Sequence, residues 1–177
     1  MSREVLHANE WVSLHVVRDL ARGVGGYVYS HETRCAGRIV ALLPYKRLGD
    51  GTLRYLLKSE MTPCWSFDQT LSSITGGYEG GAIEDDAVRE MLEETGYEIT
   101  VDELISLGTS YASKSSDTVY SLFSVDLTGR PRGEALGDGS RVEAESLAVW
   151  CTGADLVDVQ DPQVAVMFTR LNRWLRQ

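Results

Sequence analysis

Apolar and polar positions alternate through the first part of the chain. In "WVSLHVVRD" (11–19) Val12, Leu14 and Val16 fall at every second position, and "GGYVYSHE" (25–32) resumes the alternation after a glycine turn. A period of two marks strands that cover one face. "GRIVALLPYKR" (37–47) is instead a nearly continuous apolar run, as expected of a strand buried on both faces. The turn residues "GDGT" at 49–52 separate it from "LRYLLKSE" (53–60), which predicts a hairpin between residues 37–46 and 53–60. After residue 85 the period lengthens to that of a helix, and "ELISLGTSY" (103–111), "TVYSLFSVDL" (118–127) and "SLAVWC" (146–151) then read as further strands. The last segment, "DPQVAVMFTRLNRWLR" (161–176), opens with Asp161 and Pro162, a cap followed by a first-turn proline, and spaces Val164, Met167, Leu171 and Trp174 as on one helix face. The sum is an α/β protein with a mixed sheet and at least two helices, its topology open.

The middle helix, "DDAVREMLEETGY" (85–97), carries five acids between Asp85 and Glu94. At about 100° per residue, Glu93 and Glu94 lie within roughly 60° of Glu90, with Asp86 on the same side. Val88, Met91, Leu92 and Thr95 occupy the opposite arc and suit packing on a sheet. Arg89 precedes Glu93 by one turn and can brace it, and Gly96 stands where a helix terminator is wanted. Asp85 and Asp86 suit the first turn, but Glu90, Glu93 and Glu94 crowd the end where the macrodipole disfavours negative charge, at about 0.3–1 kcal/mol each. A solvated acidic face is one explanation. A divalent cation is the other, since Glu90 and Glu94 can both reach a hard metal that also binds substrate phosphates.

Composition decides little about chemistry but excludes several classes. With 177 residues, 43% hydrophobic and 24% charged, the chain suits one domain spanning 1–177. No apolar run is long enough to cross a membrane, and "MSREVLHANEW" lacks a signal peptide's apolar stretch, so the expectation is a cytoplasmic protein without a membrane partner. A net charge of −9 argues against nucleic-acid backbones as partners, yet a cation could bridge the protein to a small anionic substrate. Cys35, Cys64 and Cys151 are widely spaced and odd in number, which predicts buried free thiols rather than disulfides or a zinc site. His7, His15 and His31 show no ligand spacing and receive no catalytic role.

"REMLEETGY" (89–97) resembles the second half of the Nudix box, Arg-Glu-U-x-Glu-Glu-x-Gly-U with U apolar, and "GGYEGG" (76–81) is similar to its glycine-rich loop. The resemblance implies an α/β/α sandwich in which residues 1–36 form additional N-terminal strands and 37–177 the core. It also implies hydrolysis of a nucleoside diphosphate linked to another moiety, with Mg²⁺ or Mn²⁺ as cofactor. Glu90 and Glu94 are then the principal metal ligands, Glu93 a second-rank ligand, Arg89 an orienting group, and a backbone carbonyl at Gly76 or Gly77 a further ligand. Two positions depart from the box: Gly81 stands for its first glutamate and Thr75 for its opening glycine, and the loop is about two residues short. Glu79 or Glu84 is the substitute within reach.

The general base is left between the box helix and a later loop, "GDGSRVEAES" (137–146), where Glu143 is preferred to Glu145. Arg54, Lys58 and Lys114 are candidate phosphate contacts, and Trp65 is a candidate stacking surface for a base. The long strand-rich lead before residue 37 and the flanking segments resemble ADP-ribose and nucleotide-sugar pyrophosphatases, and so suggest a homodimer built through the N-terminal strands. The proline common past the box in ADP-ribose enzymes is replaced here by Ala112 and Ser113. The alternatives are a nucleoside-triphosphate pyrophosphohydrolase and a non-catalytic nucleotide-binding module.

Overall fold

The early alternation folds as an antiparallel three-stranded sheet of β1 (Ser2–Ala8), β2 (Val12–Asp19) and β3 (Val24–Glu32), in that order. The structure is a computed structural model that describes residues 1–135 and 146–177. β1 is not predicted by the pattern, because every residue of it is exposed and it has no buried face to select an alternation. The sheet is tied to the rest of the chain through Ser30, whose N–H donates to the Ser115 carbonyl, and through His31 and Asp117, 3.0 Å apart.

Residues 37–47 do not form one strand. β4 (Arg38–Leu42) belongs to a sheet ordered β8-β4-β10-β9, and β5 (Tyr45–Arg47) belongs to another ordered β11-β6-β5. The change of sheet comes at Pro44, which has no N–H to continue a ladder. The predicted hairpin therefore forms from β5 and β6 (Leu53–Met61), with Tyr45 opposite Tyr55. β7 (Gln69–Ser72) and β8 (Ile74–Gly77), unrecognised in the sequence, pair with β6 and β4. β9 (Ile105–Tyr111), β10 (Val119–Ser124) and β11 (Leu147–Cys151) fall where the pattern places them. β4 and β10 run parallel while the other named strand pairs are antiparallel, so the sheets are mixed as expected.

Both faces of β4 and of the middle of β6 are buried, which explains the apolar runs at 39–42 and 55–57. Val40, Leu42 and Leu56 pack with Ile74, Ala87 and Met91 beneath α1 (Ile83–Thr95). Ala41, Leu43, Tyr55 and Leu57 pack on the other side with Val164, Met167 and Leu171 of α2 (Pro162–Trp174). The sheets are thus held between two helices, an α/β/α sandwich. The Asp161 carboxylate caps α2 by accepting from Gln163 N–H at 2.8 Å, ahead of Pro162, while Trp174, placed on the apolar stripe by its spacing, is 45% exposed. Cys35 and Cys151 are buried free thiols as expected, but Cys64 is exposed. No helix among the described residues is long and apolar enough to cross a membrane.

Candidate active site

α1 brings the acids of the middle segment to one cleft. The helix ends at Gly96 with φ +73°, whose N–H returns to the Leu92 carbonyl at 2.9 Å. Its apolar side is centred on Ala87 and Met91, both fully buried. The acidic side is not a solvated face. Glu90 is 7% exposed and Asp86 4%, because β8 and the loop after it lie across them. A cleft of about 420 Å³ opens there, lined by Glu79, Glu90, Glu93, Glu94, Arg34 and Arg89 together with Thr75–Glu79 of β8 and its loop.

Arg89 is the centre of the charge network. Its guanidinium lies 2.8 Å from Glu90, 2.9 Å from Glu93, 3.3 Å from Asp86 and 3.4 Å from Glu79. The predicted brace on Glu93 is present, and Glu79 reaches the same arginine. Burial works against the Arg89 charge, but Glu90, Asp86, Glu79 and Glu93 outweigh it and raise its pKa. Burial also pushes the Glu90 carboxyl up; Arg89 pulls it back, Glu94 and Glu93 push it again, and it comes to rest at about 7.

Gly76 packs against Glu90 so closely that a Cβ there would stand 1.8 Å from Glu90 Oε1. The position requires glycine because the carboxylate occupies the space of a side chain. Tyr78 N–H donates to the Arg38 carbonyl, and Gly76 lies opposite Val40 in the same ladder. By the two-residue alternation of antiparallel pairs, the polar groups of Gly76 point at β4 and those of Gly77 at the open edge. The Gly76 carbonyl expected as a ligand therefore faces β4, with one lone pair in the ladder and the second left for an ion. Gly81, which stands where the box has glutamate, has φ +85° beside Gly80 at +115°. The short loop turns through the left-handed region there, where a glutamate would be strained.

The other predicted residues separate. Lys58, expected at a phosphate, is 5% exposed and pairs instead with Glu94 at 2.5 Å and Glu60 at 3.1 Å. Desolvation works against its charge, but Glu94 and Glu60 prevail and raise its pKa. The reason for the correction is that β6 is a central strand whose side chains are enclosed, so a lysine there needs internal partners. Arg54 lies opposite Lys46 in the β5–β6 hairpin, and Lys114 sits by the N-terminal sheet, where Tyr27 donates to its carbonyl. Neither lines the cleft. Trp65 is 48% exposed and lines a second cleft beside the first. Glu84 does not line the acidic cleft, and Glu143 and Glu145 lie outside the described residues. Sequence reasoning missed Arg34, a cation at the cleft supplied by the short helix Thr33–Cys35. No spacing signal marks it, since it reaches the site only through the junction of the N-terminal sheet with β4.

Among the described residues no three acidic, histidine or cysteine side chains converge on one point that could hold an ion, because Arg89 and Lys58 each draw carboxylates to themselves. The donor set nevertheless fits a hard divalent cation. Four glutamates and two arginines line the cleft, and Glu90, Glu93 and Glu94 stand on one side of the same helix. Among the described residues, the cation acting on buried Glu90 is Arg89, shared with three other acids, a deficit a dication would remove.

No family model matches the chain, and no curated protein matches its sequence. Its fold is shared with solved structures. An ADP compounds hydrolase superposes with a TM-score of 0.69 over 99% of this chain and 92% of that one, at 17% identity. An Ap4A hydrolase of C. elegans in a binary complex gives 0.54 over 78% of this chain and 97% of that one, also at 17% identity. The NUDIX domain of Shewanella oneidensis NrtR complexed with ADP ribose gives 0.58 over 78% and 87%, at 15% identity. The sandwich described above is the Nudix fold.

Proposed function

From the premise of a Nudix fold, we propose that the protein is a divalent-metal-dependent hydrolase of the pyrophosphate bond in a nucleoside diphosphate linked to another moiety, ADP-ribose or a nucleotide sugar. The observation that carries this reading is the single cleft in which Glu79, Glu90, Glu93, Glu94, Arg34 and Arg89 meet. The ligands bound or processed by the structural neighbours, ADP compounds, Ap4A and ADP ribose, are of the same chemical kind.

Glu90, Glu93 and Glu94 would hold Mg²⁺ or Mn²⁺. Bound there, such an ion polarises a phosphoryl oxygen and lowers the pKa of a coordinated water. Arg89 sets the rotamers of Glu90 and Glu93, and Lys58 those of Glu94. Arg34, exposed at the rim, is placed to meet a phosphate of the substrate. Glu90, whose carboxyl rests at about 7 without metal, would be held ionised as a ligand once a dication is bound.

A second reading, a nucleotide-binding module without turnover, is favoured by one observation: Arg89 and Lys58 already neutralise the carboxylates of the helix. Hydrolysis of ADP-ribose, nucleotide sugars, dinucleoside polyphosphates and nucleoside triphosphates in Mg²⁺ or Mn²⁺, by wild type and Glu94→Gln, separates the two. The enzyme releases a nucleoside monophosphate and loses about 10²-fold or more of kcat on substitution. A module binds one of these compounds and turns over none. Release of pyrophosphate from triphosphates alone would identify the pyrophosphohydrolase alternative.

We further propose a single domain acting as a cytoplasmic homodimer. Exposed Val5, Leu6, Val12, Leu14 and Val28 on the N-terminal sheet support the assembly.

A further inference from the structure

The second cleft, of about 410 Å³, adjoins the acidic one, since Thr75 lines both. Trp65 stands at its wall, half-exposed. The polar groups around it are two carboxylates, Glu60 and Asp161, among hydroxyls and amides that include Tyr120, Gln160 and Gln163. Glu60 accepts from Ser72 Oγ at 2.7 Å through Oε1 and meets Lys58 at 3.1 Å through Oε2. Each of these oxygens keeps a second lone pair. Asp161 also lines the cleft but is spent on the backbone and hydroxyl of Ser73 and on the N–H of Gln163. Gln163 accepts from Ser110 through its carbonyl oxygen, so its NH₂ is its remaining polar group. Burial, then Glu32 and Asp161, push Tyr120 up to about 12, which keeps its hydroxyl protonated. No lysine or arginine is among the described lining residues.

With two carboxylates and no cation among its described lining residues, such a cleft repels phosphate, and its unspent groups both accept, at Glu60, and donate, at Tyr120 and Gln163, as hydroxyls require. A purine offers at most one amino group, whereas every hydroxyl of a sugar can donate, and the C–H face of a sugar ring suits the face of an indole. We propose that this cleft is the subsite for the uncharged, hydroxyl-bearing ring joined to the pyrophosphate, with Trp65 as the surface it lies on and Glu60 as the acceptor for its hydroxyls. The inference rests on the pyrophosphatase reading and gives it a substrate class: the pyrophosphate spans the acidic cleft and the unphosphorylated sugar passes Thr75 into the second. Glu60 also shares the buried Lys58 ammonium with Glu94, so the group that reads the sugar is one side chain away from the acids of α1.

The test uses α,β-methylene analogues of ADP-ribose and of the β-methyl ester of ADP, which are not hydrolysed, carry the same charge and differ by the terminal ribose, titrated calorimetrically in Mg²⁺ into wild type, Trp65→Ala and Glu60→Gln. Trp65 is half-exposed and Lys58 retains Glu94 when Glu60 is changed, so both variants keep the fold, which a thermal melt verifies. Wild type is expected to bind the ribose-bearing analogue about tenfold tighter, the worth of one stacked ring and one or two hydrogen bonds. In both variants the preference falls to about twofold or less. A preference absent from wild type, or kept by either variant, overturns the subsite while leaving the pyrophosphatase reading intact. Failure of both analogues to bind wild type overturns the two together.

Discussion

At the scale of single residues, the site depends on one missing side chain and one displaced proton equilibrium. Gly76→Ala forces its methyl into the space of Glu90 Oε1. Because Glu90 is buried and held by Arg89, relief requires moving both. The expected result is a loss of about 1–3 kcal/mol in urea unfolding together with a fall in kcat, whereas Gly49→Ala, where a Cβ meets nothing within 4 Å, should leave kcat alone. The pKa of Glu90, raised from 4.5 to about 7, gives a signed pH dependence. In the metal-free protein, between these values the folded state holds a proton that the unfolded state has released, so the contribution of this group to stability is fully present below pH 4.5 and is lost as pH rises through about 7. The decline from this group is about 3 kcal/mol. Urea midpoints of wild type and Glu90→Gln at pH 5 and pH 8 check it: the substitution should flatten the difference, and Mg²⁺ should restore wild-type stability at pH 8.

At the scale of elements, the pair β6 and α1 is joined across the core by a charge. Lys58 comes from the one and Glu94 from the other, both almost wholly enclosed. Lys58→Met would leave Glu94 and Glu60 without their shared counter-charge, at about 3–5 kcal/mol. Lys58→Met combined with Glu94→Gln should recover part of that loss, since a buried amide is cheaper than a buried unpaired carboxylate. A double-mutant cycle by chemical denaturation measures the coupling, and additivity of the two changes would show that the ion pair does not link the elements. The same pair explains why the sequence misleads here. A lysine in a strand resembles a solvated residue, and only the tertiary packing that sets Glu94 of α1 beside it encloses it.

At the scale of the whole molecule, the N-terminal sheet lies outside the sandwich yet contributes to the cleft, because the turn that leaves β3 carries Arg34 to its rim. Arg34→Ala is expected to raise KM for a nucleotide substrate about tenfold, with a smaller effect on kcat, if its contact with phosphate persists unchanged from ground state to transition state. Steady-state kinetics decides this, an equal fall in kcat pointing instead to a role specific to the transition state. The proposed homodimer would use the exposed apolar side chains of the same sheet. Sedimentation should give twice the chain mass for wild type and a shift toward the single chain for Leu14→Arg, while a wild-type monomer would remove the dimer from the proposal.

The box helix, the terminal helix, the buried strands and the identity of Arg89, Glu90, Glu93 and Glu94 as a group were legible in the sequence. Each is a local signal: a period, a cap, or a fixed spacing on one helix face that is the same in any fold containing the helix. The edges of the sheets were not. β1 is exposed throughout and β7 and β8 are short and polar or glycine-rich, so their pairing comes from neighbours rather than from their own pattern. The partners of the charges were equally out of reach, since Lys58 with Glu94, Arg34 with the acidic cleft and Gly76 with Glu90 join residues separated along the chain. Sequence determined which side chains are available to do chemistry and which face of the helix presents them. Tertiary structure alone decided which of them are neutralised, how far Glu90 is desolvated and what lies beside the cleft, because electrostatics and burial depend on distance in space, and the chain sets that distance only once it is packed.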